Sequence, residues 1–350
     1  MTVAVLASGC GSSGPTPSVT ARGWAGIDRR LDDRVRSDHL DGAVLVVRRG
    51  DQDVHRHLSG SYRMGTVVPM ASASKWLTAG LVMTLVDQGR LSLDTPVNSY
   101  APPLGATVGA VTMRQLLSHT HGLGDVDGCL LTPATPPEVA ACDQQVAATT
   151  KAVAPPGTRF SYGPAGPTLA GRVVDLLTGQ PFEEAFRTRI AQPLGMADTT
   201  FTHHAGGRPA ANGPDPAAGV VSSADDYLKF VQMLAAGGTA AGRTVLSPVS
   251  AAAMLRLATA SARFKEDPVA ADLDSIGYGL GAWVESARPD GTAELIDGSG
   301  AYGAYPWIDT ARGVYGMVLV MDAADPGPTG AVGQSHDDVV AISQVLDGRR

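Results

Sequence analysis

Residues 70–89 read Met-Ala-Ser-Ala-Ser-Lys-Trp-Leu-Thr-Ala-Gly-Leu-Val-Met-Thr-Leu-Val-Asp-Gln-Gly, and the chain is organised around them. Trp76 to Gly89 is apolar, helix-compatible and closed by a glycine. Positions i and i+3 share a helix face, so Ser72 at the start stands one turn from the Lys75 amine. The helix N-terminus adds unpaired backbone N–H groups and a partial positive charge. A serine hydroxyl is a weak nucleophile until a nearby base takes its proton. A lysine whose pKa is lowered in a dry pocket is such a base. Alone, Ser-x-x-Lys equally describes a helix cap beside a solvated lysine. The rest of the chain decides between the two.

At 350 residues the chain can bury a large core and divide into two subdomains. A hydrophobic content of 44% with 17% charged residues suits a globular protein and not a disordered one. The net charge of −7 offers no basic patch and argues against a nucleic-acid partner. No internal repeat is visible. Val3 to Gly9 is a short apolar run ending in small residues and Cys10. That pattern resembles the end of a bacterial lipoprotein signal, in which Cys10 is lipidated and Gly11 to Thr20 forms a flexible tether. The run lacks a positively charged leader and is too short to span a membrane, so a terminus with a stray cysteine is the alternative. The lipoprotein reading places the protein outside the cytoplasm, in the cell envelope or beyond, anchored through a lipid on Cys10.

Outward from Ser72, the N-terminal side holds an amphipathic helix at Gly23–Val35 and a strand over Asp41–Val47, returning at Val54–Leu58. His55 and His57 share one strand face, which reads as an exposed face, because a metal site needs more ligands than two. On the C-terminal side, Thr112–Leu123 is a short helix running into a glycine turn. Its His119 and His121 read as residues serving backbone groups or the helix dipole, not as bases. Cys129 and Cys142 flank a proline-rich loop. In an exported protein they pair; in a cytoplasmic one they are buried free thiols. Pro155–Pro164 is turn-rich and presents Tyr162. Helices follow at Thr168–Leu177, Phe182–Ile190, Tyr227–Ala236 and Ser247–Leu257. His203-His204 lies in a loop with no ligand cluster near it in sequence. Strands return at Gly277–Val284, Leu295–Ile296, Tyr305–Ile308 and Gly313–Met321, before a terminal helix at Asp337–Leu346. Strands at both ends with helices between predict an α+β fold, its sheet assembled from the two ends of the chain.

Several segments in order resemble one family: Ser72-Ala-Ser-Lys75, LVDQGRLSLDTPV, LLSHTHGL, PPGTRFSYGPAG, QPLGMADTTF, GVVSSADDYLKF and GSGAYGAYPWID. It is the serine β-lactamase and penicillin-binding protein superfamily, in its class C β-lactamase and esterase branch. The likeness covers roughly residues 40 to 325, and an ordered set of motifs is far more specific than any one of them. It implies a β-lactamase-like fold, an antiparallel sheet flanked by helices plus a mostly helical subdomain. The boundaries expected are a signal remnant and tether at 1–22 and a hydrolase domain at 23–350. Within that domain the sheet subdomain takes about 23–95 and 275–350, and the helical one about 96–274.

By motif position the resemblance makes Ser72 the nucleophile, Lys75 its helper and Tyr162 the general base. The amides of Ser72 and Ala301 form the oxyanion hole, and Gly298, Ser299 and Gly300 bind substrate. Two departures stand out. The second motif reads Tyr162-Gly163-Pro164, with proline where the family carries an asparagine that holds the substrate amide. The third reads Gly298-Ser299-Gly300, without the family's Lys or His. Arg63 and Arg159 are candidates to supply that cation from elsewhere. The expected function is a serine hydrolase, an esterase on small neutral esters, needing neither metal nor organic cofactor. A D,D-peptidase, a weak β-lactamase and an inactive envelope protein are the alternatives.

Overall fold

The computed structural model describes residues 19–126, 128–131, 135–202, 214–259 and 264–348, with side chains from residue 23 onward. Cys10, the tether up to residue 18 and His203-His204 lie outside the described residues.

A seven-stranded antiparallel sheet carries the molecule. Its order from one edge is β2 (Gln52–Gly60), β1 (Gly42–Arg49), then the strands Val314–Leu319, Tyr305–Asp309, Ala293–Asp297, Trp283–Ala287 and Gly277–Tyr278. The first and last parts of the chain meet where Val44 to Arg48 pair with Leu319 to Tyr315. β1 is buried on both faces as far as Val47, which fits a near-continuous run of Val, Leu and Ala rather than an alternating one.

Each face of the sheet is covered by helices. On one lies α2 (Ser74–Asp87), buried from Ser74 through Leu85. A helix that is apolar all round must be enclosed, and α2 packs into the largest core with Val44, Val46, Ile296, Ile308 and Met317 of the sheet. On the other face α1 (Val19–Ser37) and the terminal helix Ala331–Leu346 cover Ala43, Leu45, Val47, Trp307 and Val318. The helices of the middle of the chain, Met113–Leu117, Pro136–Thr149, Ala165–Thr178 and Ala224–Ala235 among them, gather around α2.

Four readings are corrected. Gly277–Val284 is not one strand but a hairpin of Gly277–Tyr278 and Trp283–Ala287. Its turn presses on α2: Gly281 has φ +78°, and a Cβ there would meet the Lys75 carbonyl oxygen at 2.4 Å. The terminal helix starts at Ala331, six residues before the predicted start, and so includes His336. The face of β2 that bears His55 and His57 is covered by α1. His55 Nε2 lies 2.7 Å from Asp28 and the ring stacks on Trp24 at 4.3 Å, while His57 Nε2 lies 2.8 Å from Asp32. His119 does not serve backbone groups through its ring, as described below. His121 does, its Nδ1 accepting the Leu123 N–H at 3.0 Å. Cys129 and Cys142 are joined by a disulfide.

Candidate active site

Ser72 sits in a single 3-10 turn, Ala71–Ala73, that runs straight into α2. Ala71 adopts φ +46°, a left-handed conformation that strains a residue with a Cβ and marks the turn as held by its surroundings. The restraints are visible. Ser74 Oγ donates to the Ala71 carbonyl at 2.7 Å and accepts the Val220 N–H at 2.9 Å. Tyr227 donates its hydroxyl to the Ala73 carbonyl at 2.7 Å, and the Met70 N–H reaches the Val220 carbonyl at 2.9 Å.

One turn on, Lys75 is 3% exposed. Its Nζ lies 2.9 Å from Ser72 Oγ and 3.0 Å from the Ala217 carbonyl oxygen. Asp215 shapes the turn that presents that carbonyl by accepting the N–H groups of Ala217 and Ala218. The amine also lies 4.8 Å from the centre of the Tyr162 ring. Ser72, Lys75 and Tyr162, 90 residues apart in sequence at the extremes, are thus gathered within one cluster.

Tyr162 is held by backbone and by rings. Its N–H donates to Asp267 at 2.8 Å, and the preceding Ser161 N–H donates to the His119 carbonyl at 2.9 Å. The ring packs on Trp283 at 4.7 Å and on His119 at 4.8 Å. His119 is fully buried at φ +57°, and neither ring nitrogen has a hydrogen-bond partner among the described residues. Burial first, then the Lys75 and His121 charges, hold its pKa well below the usual histidine value, so it is a neutral wall and not a proton acceptor in working conditions. Burial likewise brings His121 down to about 4.

The third motif closes the cleft from the sheet side. Gly300 lies so near the Ser72 turn that a Cβ would come 2.0 Å from the Met70 carbonyl oxygen, and one on Gly298 would come 2.6 Å from the Trp76 ring. The two glycines allow this approach. Next to Gly300, the Ala301 N–H has no acceptor among the described residues. Asp297 Oδ1 accepts the Ser299 N–H at 3.0 Å, a side-chain turn of the kind Asp favours before Gly. Asp297 is 1% exposed, and burial together with the neighbouring Glu285 pushes it up to about 8.

Among the described residues no cation stands free beside the third motif. His336, from the terminal helix, is pulled up to about 9 chiefly by its hydrogen bond to Glu285, at 3.1 Å, and its other nitrogen faces Asp274 at 4.0 Å. The signal for His336 was absent from sequence because 51 residues separate it from Glu285. Arg159 lines a small hollow of about 180 Å³ together with Ser161 and Tyr162. Arg63 turns back on the carbonyls of Gly60 and Tyr62. Among the described residues no group of three or more His, Cys, Asp or Glu side chains is placed to hold a metal.

A strained serine turn, a lysine on its hydroxyl and a tyrosine beside the lysine, all under a sheet edge, define a serine-hydrolase class of site. The chain belongs to the Beta-lactamase family, whose pattern matches residues 27–337. Members of this family are in general serine hydrolases. One relative is penicillin-binding protein 4 of Amycolatopsis lactamdurans, 36% identical over 187 residues, 48% of this chain and 46% of that protein. The match thus spans about half the length of that relative. The esterase EstB of Burkholderia gladioli is 26% identical over 90% of this chain and 94% of its own. Among solved structures, a Bacteroides dorei protein assigned to the β-lactamases superposes with a TM-score of 0.78 at 27% identity, over 93% of this chain and 99% of the other.

Proposed function

We propose that this protein is an esterase that forms an acyl-enzyme on Ser72. The observation that carries the reading is the Lys75 amine 2.9 Å from the Ser72 hydroxyl with the Tyr162 ring beside it. Lys75 or the Tyr162 phenolate takes the Ser72 proton. Oγ then attacks the ester carbon, and the alcohol leaves with a proton returned from the same pair. Water enters, loses its proton to the vacated base and releases the acid. The amides of Ser72 and Ala301 hold the oxyanion, a donor of this kind being worth about 3–4 kcal/mol.

The substrate class follows from charge. β-Lactams and peptidoglycan stems carry a carboxylate next to the scissile bond. Gly298 offers it nothing, Ser299 offers a neutral hydrogen bond, and the nearby His336 is spent on Glu285. An ester without that carboxylate loses nothing, and short neutral esters are the simplest such substrates. The likeness to EstB over nearly the whole chain supports this reading. The likeness to penicillin-binding protein 4, and to the D-alanyl-D-alanine-carboxypeptidase/endopeptidase AmpH of Escherichia coli, favours a second one, a D,D-peptidase or a weak β-lactamase. The test is kcat/KM for p-nitrophenyl butyrate against nitrocefin. The ester is expected to be the better substrate; efficient nitrocefin turnover with no ester hydrolysis overturns the assignment.

Export and a lipid on Cys10 belong to the same proposal. The Cys129–Cys142 disulfide is consistent with an oxidising compartment, and no helix among the described residues is long and apolar enough to cross a membrane. A Cys10→Ser variant should leave the membrane fraction when the full gene is expressed in its host; equal retention counts against the anchor.

A further inference from the structure

Ser72 and Lys75 come with α2, which packs in the largest core. Tyr162 belongs elsewhere. Its ring leans on a separate small core of Phe160, Phe264, Ala270, Tyr278 and Trp283. The backbone at Tyr162 is neither helix nor strand. A loop residue has no ladder of its own to fix it, so its place beside the Lys75 amine depends on what the rest of the fold brings against it.

The anchor comes from 105 residues further along the chain. Phe264–Glu266 is a single 3-10 turn and Pro268–Ala271 a single helical turn, with Asp267 between them as the helix cap. Asp267 is 7% exposed, and its two oxygens have different partners. Oδ1 accepts the Val269 and Ala270 N–H groups at 3.0 and 3.2 Å. Oδ2 accepts the Tyr162 N–H at 2.8 Å. A cap of this kind needs one acceptor, and Ser or Asn serves there about as well as Asp. The second oxygen is what the choice of Asp adds, and it is directed at Tyr162. The segment that carries Asp267 is itself fastened. Phe264 is 4% exposed and packs on Phe160 at 4.7 Å and on Trp283 at 6.2 Å. Lys265 Nζ donates to the Ala270 carbonyl at 2.8 Å and to that of Leu273, closing the segment on itself.

Resting on the reading of Tyr162 as the partner of Lys75 in proton transfer, we propose that Asp267 is a positioning residue, whose second carboxylate oxygen sets where Tyr162 stands against Lys75 and Ser72. It touches no reacting atom and acts through the Tyr162 backbone. Without it the ring moves from its place 4.8 Å from the Lys75 amine. Catalysis is sensitive to such a shift, since a misplacement of about 1 Å can cost roughly a hundredfold in rate. The same pair serves acylation and deacylation, so both steps slow together. The loss therefore falls on kcat and leaves KM in place.

The experiment uses Asp267→Ser, which keeps a helix cap and gives up the oxygen that reaches Tyr162. Hydrolysis of p-nitrophenyl butyrate is expected to show kcat lower by about tenfold to a hundredfold, with KM within about twofold of the parent. Asp267→Asn, of the same length but with one acceptor oxygen, should fall between the two. A rise in KM with kcat unchanged overturns the proposal. Where Tyr162→Phe has itself lost activity, adding Asp267→Ser should change nothing further, because a positioning residue acts only through the group it positions. An equal further loss in that background marks a general structural role and overturns the proposal. Fluorine NMR of the protein labelled with 3-fluorotyrosine reads position without turnover, the Tyr162 resonance being assigned by its loss in Tyr162→Phe. That resonance should shift in Asp267→Ser more than those of the other tyrosines. A Tyr162 resonance that stays in place overturns the proposal whatever the kinetics. A shifted resonance beside a fully active Tyr162→Phe removes the proton-transfer reading alone and keeps Asp267 as the residue that places the ring. If Asp267→Ser does not fold, Asp267→Asn carries the same comparisons.

Discussion

On the α2 side of the cleft, a lysine amine sits 2.9 Å from a serine hydroxyl with a tyrosine ring beside it. On the third-motif side the residues facing that pair are two glycines and a serine, and the titratable groups behind them are acids and one histidine, His336, already paired with Glu285. The first side keeps the parts that form and break an acyl bond. The second lacks the part that holds an anion. The lesson is that the two duties of such a cleft reside on separate pieces of the fold and change independently. A helix start fixes Ser72 and Lys75 through local geometry, while the sheet edge sets which substrate is admitted.

The largest break in this comparison should come from the α2 side. Lys75→Ala and Tyr162→Phe are each expected to lower p-nitrophenyl butyrate turnover by roughly a thousandfold or more, with circular dichroism unchanged. The effects should be far from additive in the double variant, because the groups act as a unit. Next in size is a change remote from both sides. Removing the Cys129–Cys142 bond, whose cysteines are 13 residues apart, should cost about 3 kcal/mol in the chain-entropy treatment, read by urea unfolding of Cys129→Ala/Cys142→Ala.

The junction of the two sides is tested by glycine. Gly300→Ala places a Cβ against the Met70 carbonyl and should destabilise the fold by roughly 1–3 kcal/mol while lowering turnover, since the third motif must move off the Ser72 turn. Gly163→Ala, next to Tyr162 but with no atom within 4 Å of the new Cβ, should stay within about 0.5 kcal/mol of the parent. The third-motif side itself sets the β-lactam comparison. Loss of one charge-assisted bond, worth about 1.5–3 kcal/mol, predicts nitrocefin binding roughly tenfold to over a hundredfold weaker than with a motif cation. A variant restoring it, Gly298→Lys, would meet the Trp76 ring and gives no clean rescue.

A separate effect lies away from both sides. Burial pushes Glu183 up to about 7, against the favourable Phe201 N–H at 2.7 Å. The folded chain then keeps a proton that the unfolded chain releases near pH 4.5. Stability should therefore fall as pH rises from about 4.5 to about 7 and level off above it. The melting temperature of Glu183→Gln should lack this component of the pH dependence.

The α2 side was legible in the sequence, because Ser72 and Lys75 stand at one helical turn and an apolar run ended by glycine announces the helix. The sheet built from both ends was legible as well, from strand-like runs before residue 60 and after residue 277. The third-motif side was legible only as a lack. That Gly298 and Gly300 are glycines because the sheet edge touches Trp76 and Met70 is a long-range packing fact that no local pattern carries. The same holds for His336, which meets Glu285 only once the terminal helix is docked, and for His119, whose ring turns from the backbone to Tyr162 through a left-handed φ. The helix on which His336 rides was read six residues too short, because its first turns, Ala331 to His336, carry few apolar residues to announce them.

The central claim is that Ser72 is the acylated nucleophile. Intact-mass measurement after incubation with a fluorophosphonate, followed by peptide mapping, tests it most directly. One adduct per chain on the peptide that carries Ser72, absent in Ser72→Ala and slowed in Lys75→Ala, is the result expected. An adduct that persists in Ser72→Ala, or an unlabelled wild-type protein that still hydrolyses p-nitrophenyl butyrate, would contradict the account.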